Sequence, residues 1–368
     1  MLQPQNYCCL NPDCIAVGQY ERGNINVHSQ KDKRLGCKEC NKTFSHTKGT
    51  PFYGLKKPMD LVRICLILLA YGCPVCAIVA AFGYDKRTVE SWVEKAGSHC
   101  EKIHESLVCQ QREVEQVQGD EICVRKRGGG YFWVALAIES KTRLCLAYSV
   151  GKSRNKLLIQ RLCDQVRKCC EPTDLLWLTD GLSTYVNCIK RAFSDKVKTG
   201  KIGRPKLQVW QGLHIVQCIK TYQKKGKRWQ CKGVGKCKIA YGSLSNISGL
   251  LAKCETMKVA NTAYIERLNA TFRSRVTPLI RRTRFTTNKP ERIESYLYFT
   301  GTIYNFCRVH ESLGKTPAME ADIVNRVWTY QELFEYKVSP KWIPPKTRGR
   351  KSSKYKQKLR KWGYHGLL

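Results

Sequence analysis

The run Leu175-Leu176-Trp177-Leu178-Thr179 constrains the chain most, because it is apolar almost throughout and stops at a carboxylate, Asp180. Together with Asp174 it reads as a short buried strand, so a sheet must surround it and other layers must cover it. The neighbouring sequence supplies both. Gln116 to Arg125, Tyr131 to Ile138 and Arg143 to Val150 read as strands, with a turn at Gly128-Gly129-Gly130. Ser153 to Cys170 reads as a helix with Leu157, Leu158, Leu162 and Val166 on one face. After the buried strand come a helix over Ser183 to Phe193, a strand within Leu207 to Ile219, and helices over Asn261 to Val276 and Pro290 to Cys307. Three strands, a helix, a strand, a helix and a strand is the order of an α/β fold, a mixed sheet covered by helices.

The chain has 368 residues, enough for two or three domains. Four regions stand out: 1–50 with paired cysteines, 51–105 with three helices, 112–310 with the alternating strands and helices, and a Pro- and Lys-rich end, 311–368. Net charge is +36. Unpaired cations repel one another in a compact state, so a polyanionic partner is expected, with nucleic acid ahead of a membrane surface. Two stretches concentrate the charge. Lys196 to Lys258 has Glu255 as its one acid and interleaves Tyr222, Trp229 and Tyr241; residues 341–368 have no acid at all. Such cation-rich runs predict phosphate contacts and binding that weakens steeply with salt. Gly203-Arg204-Pro205 bears a faint likeness to a minor-groove hook.

The 21 cysteines are odd in number and scattered, which suits a reducing compartment better than a disulfide framework. The polar N-terminus reads as no secretion signal, and a cytoplasmic protein is expected. Leu61 to Phe82 has the length and apolarity of a membrane span, but Arg63 lies inside it and Gly72-Cys73-Pro74 breaks it. It reads as two short helices, with no membrane.

Cys9 and Cys14 flank one short polar stretch, and Cys37 and Cys40 flank another. Two cysteine pairs on tight turns suit one tetrahedral Zn²⁺, with a hairpin between them. This region is too poor in apolar residues to fold alone, so the metal supplies the folding energy. Cys8 adjoins Cys9, and spacing leaves open which of the two is the ligand.

Pro58 to Tyr71 and Pro74 to Phe82 read as two helices, Gly83-Tyr84-Asp85 as a turn, and Lys86 to Ala96 as a third helix capped by Asp85. Val89, Trp92 and Val93 then face inward. Lys86, Arg87, Thr88 and Ser91 face outward, where the recognition helix of a helix-turn-helix meets the major groove.

Asp120 sits mid-strand after Gly119, Asp180 ends the buried strand before Gly181, and Glu266 lies on the late helix with Arg273 two turns on. A carboxylate among apolar strand residues must be paired or bind metal. Singly, each could be a surface charge or a helix cap. Together, three carboxylates on two strands and a helix can hold two Mg²⁺ or Mn²⁺ ions, about 3.5–4 Å apart, for phosphodiester chemistry. Glu121 points to the opposite strand face from Asp120 and reads as a bystander.

Three blocks, Gln118-Gly119-Asp120-Glu121, Leu178-Thr179-Asp180-Gly181 and Tyr264-Ile265-Glu266-Arg267-Leu268-Asn269, resemble the catalytic blocks of DDE transposases. The chain is most similar to the insertion sequence one family of bacterial mobile elements. That resemblance runs from the cysteine pairs to Tyr304-Asn305-Phe306, Arg308, His310, Leu313 and Thr316-Pro317. It implies a zinc ribbon, a helix-turn-helix and a ribonuclease H-like catalytic domain. It also implies Asp120, Asp180 and Glu266 as metal ligands, Arg273 as a DNA contact, and nucleoid-associated work on double-stranded DNA as a homodimer or larger assembly. The expected activity is hydrolysis at the terminal inverted repeats of the element, then strand transfer. The basic stretch before Glu266 is longer than the family pattern, and it carries Glu255 as a competing carboxylate. Two other readings remain: a non-catalytic DNA-binding regulator using the ribbon and helix-turn-helix, and a stand-alone nuclease or resolvase.

Overall fold

A computed structural model of the chain describes residues 1–197, 205–226, 228–253, 259–284 and 286–339. Glu255, Gly203, Arg204 and the tail 341–368 lie outside the described residues, as do the side chains of Tyr222 and Trp229. The chain divides into two compact units. One comprises residues 1–62 with the described residues after 333, and the other residues 63–333.

In the first unit, β1 (Ile25–Ser29), β2 (Arg34–Cys37) and β3 (Thr43–Ser45) form a three-stranded antiparallel sheet. Its apolar content is small. Leu35, Phe44, Ala16 and Val17 pack directly against Cys9, Cys14 and Cys37, so the sulfurs are part of the core.

The second unit takes in most of α1 (Met59–Ala70), which begins in the first unit, then α2 (Val75–Phe82) and α3 (Lys86–Ile103). Gly83 closes α2 in the left-handed region at φ 66°, and its N–H donates to Val79 O. A side chain is disfavoured there, which explains glycine at this turn. Asp85 then caps α3, accepting from the N–H groups of Arg87 and Thr88. Val89, Trp92 and Val93 are buried, as the sequence pattern predicts. The helix runs further than the expected Lys86 to Ala96, because Cys100 and Ile103 continue the buried stripe and α3 packs along a later helix, Pro290–Phe306. None of the described helices is long and apolar enough to cross a membrane.

The sheet follows. β4 (Gln116–Arg125), β5 (Tyr131–Glu139) and β6 (Cys145–Gly151) are an antiparallel meander. Then come α4 (Lys156–Cys169), β7 (Leu175–Thr179), α5 (Ser183–Ala192) and a small ribbon, β8 (Ser194–Val197) with β9 (Lys206–Val209). β10 (Leu213–Lys225) and β11 (Arg228–Tyr241) complete a six-stranded mixed sheet of order β11-β10-β7-β4-β5-β6. β7 lies parallel to both β4 and β10, and β11 is antiparallel to β10. The fold is therefore mixed α/β, with β7 and β4 at its centre. All five residues of β7 are buried.

Helices cover both faces. Strand alternation sends Gln118 and Asp120 to one face and Gly119 and Glu121 to the other. α6 (Leu244–Lys253), α7 (Ala263–Arg275) and α8 (Pro290–Phe306) follow in the chain, then two short helices, α9 (Pro317–Glu320) and α10 (Tyr330–Glu335). Gln118 Oε1 accepts from the N–H groups of Tyr264 and Ile265, which pins the start of α7 to β4. On the Gly119 side, a Cβ on that glycine would approach Trp177 and Tyr185 of α5 to 3.3 Å, so glycine lets the helix sit close to the strand.

The stretch Lys196 to Lys258 is partly core rather than wholly an appendage. Val216 and Cys218 of β10 and Ile247 and Leu250 of α6 pack with Leu176 and Leu178. The strand expected within Leu207 to Ile219 starts later and pairs beyond it, because β11 extends the ladder through the lysine-rich sequence.

The Asp85 cap is a clean test of the α2–α3 turn. Asp85→Ala removes a side-chain acceptor for two N–H groups and should lower stability by about 1 kcal/mol. Asp85→Asn should restore most of it, read as the midpoint of urea unfolding.

Candidate active site and metal centre

In the first unit, the ligand atoms of Cys9, Cys14, Cys37 and Cys40 all lie within 4.8 Å of one another. The Cys9 and Cys40 sulfurs are 3.8 Å apart, and those of Cys14 and Cys37 are 3.9 Å apart. Thiolates about 2.3 Å from one zinc ion occupy tetrahedral corners about 3.8 Å apart, so the sulfur cage fits that ion. Backbone N–H groups two residues on, at Asn11, Ala16 and Lys42, act on Cys9, Cys14 and Cys40 and favour their thiolate forms. Asn24 Nδ2 donates to Cys37 Sγ at 3.5 Å. Burial opposes them, pushing the Cys9 and Cys14 thiols up, and a bound cation would overcome it. The choice between the neighbouring cysteines is also decided by placement. Cys8 is buried away from the cage, interacting with Tyr20 and Lys337.

In the second unit, β4 and β7 are in register with Gly119 beside Thr179. Asp120 and Asp180 therefore stand next to each other on parallel strands. The Asp120, Glu121 and Asp180 carboxylates come within 4.8 Å of one another. Glu121 is thus no bystander. It does leave the strand on the other face, but β7 ends opposite Gly119 while β4 runs on, so side chains from both faces converge on Asp180 past the strand end. Its side chain is only 1% exposed.

Cations and dipoles hold this cluster together. Arg154, just before α4, donates from Nη2 to Glu121 Oε2 and to Asp180 Oδ2, each at 2.7 Å. Asp180 Oδ1 accepts from the N–H of Leu182 at 2.9 Å. Asn269 Nδ2 donates to Asp120 Oδ2 at 2.8 Å. Burial raises the Asp120 carboxyl, and the nearby Asp180 and Glu266 charges add to it. Burial and Asp180 push Glu121 up to about 7, against the pull of Arg154.

Glu266 stands differently. It is on α7 but outside the close cluster, 42% exposed, with Oε1 paired to Lys220 Nζ at 2.7 Å and accepting from Thr262 Oγ1 at 2.6 Å. It remains close enough to raise Asp120 electrostatically, and Lys220 lowers the same group. Arg273 shares the Glu266 side of α7 and interacts with Asp120, while burial and Arg281 pull its guanidinium down. Lys86 and Arg87 are exposed at the start of α3, but Thr88 and Ser91 are half-buried. The Ser91 hydroxyl donates to Thr88 O, so the expected outward face shrinks to its two cations.

Sequence reasoning missed Glu121, Arg154, Lys220 and Asn269 as members of this site. Asn269 carried a signal, three residues after Glu266 on the same helix face. Arg154 and Lys220 carried none, since both come from other elements.

The donor sets differ in kind. Four sulfurs suit zinc, and an all-carboxylate cluster suits a hard cation such as Mg²⁺. No protein-family model matches the chain, and no curated protein matches it.

Two measurements follow from this geometry. Metal analysis of the purified chain should find about one zinc per chain, as a four-sulfur site binds one ion. Cys14→Ser should lose it and Cys8→Ser should keep it. Arg154→Gln removes the cation that now neutralises Glu121 and Asp180. It should tighten Mn²⁺ binding at pH 8, read by calorimetry; weaker binding would show that Arg154 builds the site instead of competing for it.

Proposed function

We propose that the chain is a DDE-type DNA transposase that acts in the cytoplasm on the double-stranded ends of a mobile element. The carrying observation is the pair Asp120 and Asp180, which directly follow the paired Gly119 and Thr179 of adjacent parallel strands, come together within 4.8 Å with Glu121, are partly buried and are held by directed hydrogen bonds. Structural ion pairs do not need two carboxylates side by side at a sheet centre. A site for divalent cations does. The sheet order, an antiparallel meander followed by two parallel strands, supports the ribonuclease H-like catalytic domain that the sequence resemblance implies. The sulfur cage supports the zinc ribbon, and the capped, cationic start of α3 supports DNA contact by the helix-turn-helix.

Asp120 and Asp180 would hold Mg²⁺ or Mn²⁺, with Glu266 as the third carboxylate on the strength of its motif and its place on α7 beside Asn269. Ions so held activate water or a DNA 3′-hydroxyl and stabilise the leaving oxygen. The chain's own groups do the positioning. Asn269 and the Leu182 N–H fix the carboxylates that would carry the cations. Arg154 and Lys220 balance negative charge until DNA and cations arrive. Arg273 would hold a phosphate near Asp120. Work on paired element ends requires a homodimer or larger assembly.

The test is strand transfer with Mg²⁺ and DNA carrying the element's ends. Asp120→Asn and Asp180→Asn should each lower joining by about three orders of magnitude, the equivalent of several kcal/mol of transition-state charge stabilisation. Asn269→Ala should lower it about 10- to 100-fold, as for a residue that orients a metal ligand. Full activity in Asp120→Asn would sink the proposal. Cleavage without joined product in the native chain would make it a nuclease.

A further inference from the structure

The motif from Tyr304 to Pro317 is only partly explained by folding. Asn305 is fully buried and clamps the start of β6, accepting from the N–H of Cys145 and donating to its carbonyl, each at 3.0 Å. Phe306 packs on Trp328, and Thr316 caps α9. Tyr304 packs its buried ring on His310, and His310 pairs with Lys315 and Ser312, but these residues and Arg308 also face open space. They line a cavity of about 730 Å³ together with Arg143, Tyr264 and Arg267.

That cavity is built for negative charge. Arg143, in the turn before β6, lies with its guanidinium carbon 3.4 Å from the Tyr264 ring centroid. Arg267 comes from α7 and Arg308 from the segment after α8. All three arginines act electrostatically on His310 and line the same cavity with it. Among the described lining residues the one carboxylate is Glu311, which is exposed. Arg308 also acts on Arg275 at the end of α7, extending the row of cations. Like charges gathered at a half-buried site repel one another, and an anion relieves that repulsion. Arginine's planar fork matches phosphate oxygens, and the volume is that of a nucleotide-sized site.

Helix geometry ties the cavity to the carboxylates. Tyr264, Arg267, Leu268 and Thr271 line it at the i, i+3, i+4, i+7 spacing of one face of α7. Glu266, Asn269 and Arg273 form the adjoining face toward Asp120. We propose that this cavity is a phosphate-binding site that seats a backbone phosphate of DNA on the flank of α7 next to the carboxylate centre. A strand gripped there and near Asp120 is held at two points by one rigid helix, which fixes its register without reading its bases.

This inference rests on the reading of the chain as a DNA-processing enzyme, but its test reads binding and not catalysis. The full chain and an Arg267→Gln/Arg308→Gln variant are titrated with a labelled DNA duplex over a salt series. Loss of that phosphate contact should make log K against log salt shallower by about one and weaken binding about tenfold at physiological salt. Arg267→Lys/Arg308→Lys should keep most of the slope. On the unmodified chain, phenylglyoxal labelling of Arg267 and Arg308 should fall several-fold when the duplex is bound; this arm needs no variant to fold. Unchanged slope with unchanged labelling overturns the inference. Protection by pyrophosphate but not by duplex also overturns it, assigning the cavity to a free phosphate compound. If Asp120→Asn abolishes joining while Arg267→Gln/Arg308→Gln binds normally, only this inference fails. If Asp120→Asn joins normally, the catalytic reading fails whatever the cavity binds.

Discussion

Two aspartates held side by side by the register of β4 and β7 are the constraint on which the second unit depends. The backbone pairing that ends at Gly119 and Thr179 sets the places from which they project. Bringing carboxylates together in a partly dry place is unfavourable, and the surrounding structure can be read as the answer to that cost. Arg154 arrives from the start of α4, Lys220 from β10 and Asn269 from α7. These three elements, packed around the central strands, each deliver a group to the cluster or to the charge beside it. Positive charge and hydrogen bonds hold the aspartates, and Arg154 stands where a hard cation would compete with it for Glu121 and Asp180.

Gln118 adds a second level of control. Lying two residues before Asp120 on the same face, it caps the first N–H groups of α7 with its side-chain oxygen. The helix that carries Glu266, Asn269 and Arg273 is therefore anchored to the strand that carries Asp120. One face of that helix looks toward the carboxylates and the next lines a basic cavity, so a single rigid element relates two sites. In the first unit four clustered cysteines play the comparable organising part. A small sheet with few apolar residues closes around four sulfurs whose spacing already matches a tetrahedral ion.

Much of this was legible in the sequence, for physical reasons that differ by element. The buried strand Leu175–Thr179 had no polar alternation to confuse it, and α2 and α3 were punctuated by Gly83 and Asp85, residues that end and begin helices. Paired cysteines announced a metal cage, but spacing could not choose between Cys8 and Cys9, because one residue's rotation of the backbone decides which sulfur enters. The strand pair β10–β11 was obscured by lysines that sit well on an exposed edge and weaken the apolar pattern. Thr88 and Ser91 come out partly covered, because a helical wheel knows the axis of α3 and not what packs beside it.

Residue chemistry alone determined that this chain gathers thiols at one end, carboxylates in a sheet and an excess of cations throughout, since those are properties of side chains and their periodicity. Tertiary structure alone decided which of them meet. Alternation along β4 separates Asp120 from Glu121, yet β7 stops one residue short of them and leaves room for both to reach Asp180. Glu266, picked out by its helical motif and not by a strand position, stands instead against Lys220. Distances between groups far apart in the chain depend on where strands end and helices cross, and no local pattern encodes that.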